Sequence, residues 1–165
     1  MSPDPPLVHT RRRLRFTSLA DVPAEARRLA PAHRTLRQWT LAQICRHLAD
    51  TLHGSMTGFD LRNHRFKRLL LRRWLWRYTL RWGIPEGYTV DPALNPPVQL
   101  ELGRELERLE RAVVRYHEHT GALQPHPLFG TLSREDWDRL HRLHAAHHLS
   151  FVLETGAEQG ASARP

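Results

Sequence analysis

Residues 40–52, TLAQICRHLADTL, contain the clearest helix signal in the chain. Thr40 can cap a helix here, and Gln43 occupies the reciprocal position three residues later, which is the pattern of a capping box. The apolar side chains that follow recur at spacings of three and four and form one stripe: Leu41, Ile44, Leu48 and Leu52. We therefore predict an amphipathic helix that ends near Gly54 and Ser55 and turns one face toward a protein core.

Apolar residues recur at three and four along the rest of the chain too, and the alternation typical of strands is nearly absent. The pattern predicts further helices over about 18–30, 65–82, 98–120 and 133–155. Ser133 can cap the last of them, with Asp136 at the box position. The fold class is therefore all-α, a four-helix bundle with an additional basic amphipathic helix, 65–82, in the crossover between helices two and three.

The length of 165 residues fits one domain, for which we predict the bounds 13–155. Residues 1–12 are expected to be a flexible segment and 156–165 a disordered tail. A single cysteine, Cys45, excludes an intrachain disulfide, and the first residues contain no apolar region typical of a secretion signal. These features predict a cytoplasmic protein.

Charge is unevenly distributed, because residues 1–82 hold 17 Lys/Arg and 5 Asp/Glu whereas residues 83–165 hold 8 and 12. No sequence motif of a nucleic-acid-binding fold accompanies this charge, so a nucleic-acid partner is not expected. Basic residues opposite Trp and Leu in helix 65–82 are typical of helices that lie on membrane surfaces. The favoured interpretation is that its apolar face packs on the bundle or on the second subunit of a homodimer.

The chain contains 12 histidines, and two of them fall on an apolar stripe of the last helix. His144 and His148 are one turn apart on the face of Trp137 and Phe151, where the pattern calls for core residues. Such a pair either forms hydrogen bonds in a core or converges on one metal ion. His47, at the edge of the helix-two stripe, can supply a third imidazole. His141 is predicted to face outward.

Several segments together resemble the DinB-like superfamily, and more narrowly a branch catalogued as a domain of unknown function. They are 13–16 (RLRF), 39–49 (WTLAQICRHLA), 126–130 (HPLFG) and 144–151 (HAAHHLSF), with Trp137 before the last of them. The resemblance covers about residues 11–155. Its most specific part pairs a His-Leu on helix two with HxxHH on the final helix.

The resemblance implies a four-helix bundle that binds one divalent metal ion. Zinc and nickel are the first candidates for this ion, and iron and manganese are the second. The resemblance places the metal ligands at His47, His144 and His148. Characterised relatives include thiol-dependent transferases and isomerases, which use small cellular thiols, and metal-dependent hydrolases.

Three imidazoles leave coordination positions open, which is typical of catalytic rather than structural zinc sites. We therefore expect an enzyme that activates a thiol or water against a small electrophilic substrate. His126, in the loop before the last helix, is the candidate general acid or base, although it can equally be a histidine that fixes the turn. Two alternatives remain: a protein that binds metal or ligand without turnover, and a membrane- or anion-binding module that uses helix 65–82.

Overall fold

The structure is a computed structural model that describes residues 11–59, 72–84 and 95–155. Within these ranges the chain is mostly helical, with one pair of short strands. The elements in chain order are α1 Asp21–Leu29, β1 His33–Thr35, α2 Leu41–Thr57, α3 Arg72–Trp82, α4 Leu102–Glu118, α5 Arg134–Leu149 and β2 Val152–Glu154. The predicted tail, residues 1–10 and the first part of helix 65–82 lie outside the described residues.

Helix α2 begins with the capping box that the sequence predicts. The Thr40 hydroxyl accepts the Gln43 N–H at 3.2 Å, and the Gln43 side-chain oxygen accepts the Thr40 N–H at 2.9 Å. The predicted end near Gly54 and Ser55 is wrong, since the helix continues to Thr57. Gly54 instead allows close packing: a Cβ there would lie 2.5 Å from the ring of Phe59.

The core lies between α2 and the helices that pack on it, α4 and α5, while α1 packs on α4 and α5 from the other side. The predicted stripe of α2 is buried in this core. So are Leu109 and Val113 of α4, as expected from their spacing. This packing brings the polar residues of α2 and α5 that face the core close to one another.

The last helix ends at Leu149, so the prediction that it continues to Thr155 is wrong. The chain turns and forms β2, which pairs antiparallel with β1 in a register that places Thr35 opposite Val152. The Leu36 N–H then donates to the Phe151 carbonyl at 2.9 Å. Neither strand was predicted, because three residues are too few to show an alternating pattern.

Arg12 ties the end of α5 to α1. Its backbone N–H donates to the Ser150 carbonyl at 2.9 Å, and its guanidinium donates to the Leu149 carbonyl at 3.1 Å. The same guanidinium pairs with Glu25 of α1 at 2.6 Å. A cation at this position also interacts favourably with the carbonyl end of the helix dipole.

Helix α3 turns part of its surface toward the protein. Trp76 lies 5.2 Å from the Phe129 ring, centroid to centroid, and Thr79 is buried, whereas Arg77 is exposed. These contacts agree with the interpretation that its apolar side packs on the protein. In the part of the chain that the structure describes, no helix has both the length and the apolar character that crossing a bilayer requires.

His141 is buried, so the prediction that it faces outward is wrong. Its Nε2 lies 3.1 Å from the hydroxyl of Ser55 on α2, and that hydroxyl donates to the Leu52 carbonyl at 2.7 Å. Ser55 must therefore accept, and His141 donates from Nε2. Burial, followed by repulsion from His126 and Arg134, lowers the pKa of His141 to about 3.

This burial makes the stability of the protein depend on pH. In the unfolded chain His141 titrates near 6.5, so below that pH the unfolded state binds more protons and the free energy of unfolding falls. Between pH 7 and pH 5 we expect His141 to account for a loss of about 2 kcal/mol. Urea unfolding of metal-free protein at both pH values measures this loss.

The matched variant is His141→Gln, whose amide can still donate to Ser55 but does not titrate. We expect its stability to fall less than that of the wild type over the same interval. Equal losses in the two proteins would contradict the assignment of this titration to His141.

Candidate metal centre

Three histidines from two helices point their Nε2 atoms at one another. His47 lies in the middle of α2, and His144 and His148 are one turn apart on α5. The Nε2 of His144 is 3.1 Å from that of His47 and 3.0 Å from that of His148. One nitrogen of each ring lies within 4.8 Å of those of the other two. The structure thus brings together the three residues that the sequence predicts as metal ligands.

The arrangement follows from helix geometry. Residues four apart on a helix share a face, so His144 and His148 both turn toward α2. Their rings meet edge to face, with centroids 4.7 Å apart, and the His47 ring stands edge-on to both at 4.8–4.9 Å. The short Nε2–Nε2 distances place ring nitrogens at the centre of the group.

The environment of the group keeps at least two of the rings neutral. Burial, followed by repulsion from His148 and His47, lowers the pKa of His144 well below its usual value. Burial and the nearby His47 lower the pKa of His148 in the same direction. Neutral imidazole is the form that binds a metal ion. His47 is buried, whereas His144 and His148 each keep part of their surface exposed.

Hydrogen bonds alone satisfy this group poorly. The His144 Nε2 has two close nitrogen neighbours, but in a neutral ring it carries either one proton or one lone pair. It can therefore donate to only one neighbour, or it must share its lone pair between two donors. A divalent cation instead accepts all three lone pairs. Nitrogens about 2.0–2.1 Å from one zinc ion in tetrahedral geometry lie about 3.3 Å apart. The two distances from His144 are close to this value, and the third pair of nitrogens, on His47 and His148, lies within 4.8 Å. The residues present fit such an ion.

The donor set consists of imidazoles only. Across residues 11–59, 72–84 and 95–155, no carboxylate or thiol joins the group. Cys45, two residues before His47, lies in the core, as expected from the rotation between the two positions. Burial raises the pKa of its thiol to about 12, so it stays protonated. Three neutral ligands leave the full charge of a divalent ion uncompensated.

Trp39 is the aromatic neighbour of the group. In the structure its indole stacks on His148 at 5.3 Å, with an interplanar angle of 16°, and lies tilted on His47 at 4.8 Å. Trp39 is in the loop before α2, where helical periodicity gives no information about direction, so the sequence could not reveal this contact.

The structure places His126 in the turn before α5. Its Nδ1 accepts the N–H groups of Leu128 and Phe129 at 3.0 and 3.2 Å. Its ring contacts Phe59, Phe129 and Trp137, and it does not join the three-histidine group. These contacts support a role in holding the turn, while its assignment as a general acid or base stays a prediction.

A groove of about 640 Å³ lies elsewhere, at the N-termini of α2 and α4. Its lining includes Thr40 and Glu101, and neither His47 nor the α5 histidines. Both polar side chains are engaged as helix caps, Thr40 to Gln43 and Glu101 to the Gly103 N–H. The groove is therefore separate from the histidine group.

Comparison with known proteins gives one family and no individual relative. No curated protein and no solved structure is significantly similar to the chain. One family, described as "Protein of unknown function (DUF1569)", matches residues 8–155. This range includes all three clustered histidines and every helix and strand described above. The chain therefore belongs to the DUF1569 family of proteins of unknown function.

Proposed function

We propose that this protein is a cytoplasmic, divalent-metal-dependent enzyme of the DinB-like superfamily. The observation that supports it best is the convergence of three Nε2 atoms from α2 and α5 in a group that is only partly buried. The packing of α1, α2, α4 and α5 supports the corresponding four-helix bundle, with α3 as the added helix in the crossover.

His47, His144 and His148 hold the metal ion, with zinc or nickel as the first candidates. A bound divalent ion supplies Lewis acidity, which lowers the pKa of a water or thiol that it binds. A hydrogen bond between His141 and Ser55 also joins the two ligand helices. We propose that a substrate approaches past the partly exposed side chains of His144 and His148.

The reaction class follows from the charge of the donor set. Three neutral imidazoles favour an anionic ligand, and a thiolate or hydroxide is the simplest nucleophile of that charge. We propose transfer of a small cellular thiol to a small electrophile, a thiol-assisted isomerisation, or hydrolysis. The second candidate is a protein that binds a metal or a ligand without turnover, favoured by the lack of a carboxylate among the described residues of the group.

The first test measures metal content. Protein purified without a histidine tag and loaded with zinc should retain about one equivalent after gel filtration. His144→Ala removes the nitrogen that contacts both others, and we expect at least a tenfold loss of zinc affinity. His53→Ala is the matched control, because His53 is an exposed histidine on the same helix as His47. A folded His144→Ala variant with full stoichiometry would contradict the site.

The second test measures turnover. Zinc- or nickel-loaded protein is incubated with small thiols and model electrophiles, and with model esters for hydrolysis. We expect turnover that a chelator abolishes and added metal restores, and a decrease of at least about 100-fold in His144→Ala. A loaded protein that binds thiols but turns over no substrate would favour the non-catalytic candidate.

The third test separates the two roles of His126. In His126→Asn the side-chain oxygen can still accept the N–H groups of Leu128 and Phe129, but the variant has no group that titrates near neutral pH. If His126 transfers protons, kcat should fall about 100-fold and the pH profile should lose one limb. If His126 only holds the turn, both should match the wild type.

A further inference from the structure

Trp39 contacts two of the three proposed metal ligands, although it cannot itself bind a metal. Its ring plane lies within 16° of that of His148, and its centroid is 4.8 Å from that of His47. The side chain is half-buried and also packs against the hydrophobic core. A flat ring placed on both histidines restricts their rotation about χ2.

Metal-binding histidines usually have their orientation fixed by a hydrogen bond from the second ring nitrogen. Among the residues that the structure describes, the Nδ1 of His148 has no such bond. The contacts of its ring are aromatic instead, with Trp39 against one face and His147 edge-on at 5.1 Å. Packing therefore provides the orientation that a hydrogen bond supplies elsewhere.

The backbone holds Trp39 in place from both sides. Thr40, the next residue, is fixed by the capping box of α2. On the other side, the N–H of Leu36 donates to the carbonyl of Phe151, just beyond the end of α5. The loop that carries Trp39 is thus attached to both ligand-bearing helices, and the indole has a fixed position relative to His148.

We propose that Trp39 is a positioning residue of the metal centre, which holds the rings of His47 and His148 in the orientation that binds the ion. The inference rests on the proposed metal site and adds a residue that determines its affinity and ligand geometry. It requires a planar ring at position 39, so Phe should substitute better than an aliphatic side chain.

The test compares Trp39→Leu and Trp39→Phe with the wild type. We measure zinc affinity by competition with a chelating dye and the visible absorption of bound cobalt(II), which reports ligand geometry. Trp39→Leu should bind zinc about tenfold more weakly and show a changed cobalt spectrum, whereas Trp39→Phe should stay within about threefold of the wild type. Trp76→Leu is the control, since Trp76 is a half-buried tryptophan that packs on Phe129.

The outcomes separate the two proposals. A folded Trp39→Leu protein with wild-type zinc affinity and an unchanged cobalt spectrum overturns the positioning role alone. Failure of the wild type to bind zinc or cobalt overturns the metal site and, with it, this inference. Circular dichroism checks folding. Trp39→Met, whose longer and more flexible side chain can fill an irregular space without a planar ring, serves in place of a Trp39→Leu variant that does not fold.

Discussion

The contact of three imidazole nitrogens inside a helical protein is the constraint on which the rest of this structure depends. Protonation would relieve the crowding of lone pairs, but burial lowers the pKa of His144 and His148 and disfavours it. The three nitrogens must therefore be paired either through the few protons that neutral rings carry or through a bound cation. Helices α2 and α5 maintain this contact because each carries its histidines on the side that faces the other helix.

The elements outside the site maintain that packing. His141 joins α5 to α2 through Ser55, one turn of helix from His144. Arg12 joins the end of α5 to Glu25 of α1. These are polar contacts in partly or fully buried places, where loss of one partner leaves the other unsatisfied and is costly. The helix that carries two of the histidines is therefore fixed at several points along its length.

Sequence reasoning succeeded where a residue's role depends on its neighbours along the chain. The capping box of Thr40 and the Leu stripe of α2 are local patterns, and both are confirmed. Sequence alone left two interpretations of His144 and His148 and made His47 a possible third imidazole, and only the resemblance favoured a metal site over core packing. The prediction that His141 faces outward is wrong, although its spacing from Trp137 and His144 puts it on their stripe. Trp39 and the two strands depend on contacts between distant segments, which no local pattern contains.

The strand pair restricts where residues can be inserted or deleted near the histidine group. Residues 36–38 separate β1 from Trp39, and residues 149–151 separate His148 from β2. Both spacers start at the paired residues Thr35 and Val152. They end at Trp39 and His148, whose rings stack on each other. An insertion or deletion in either spacer would slip the strand register or move the indole off the imidazole.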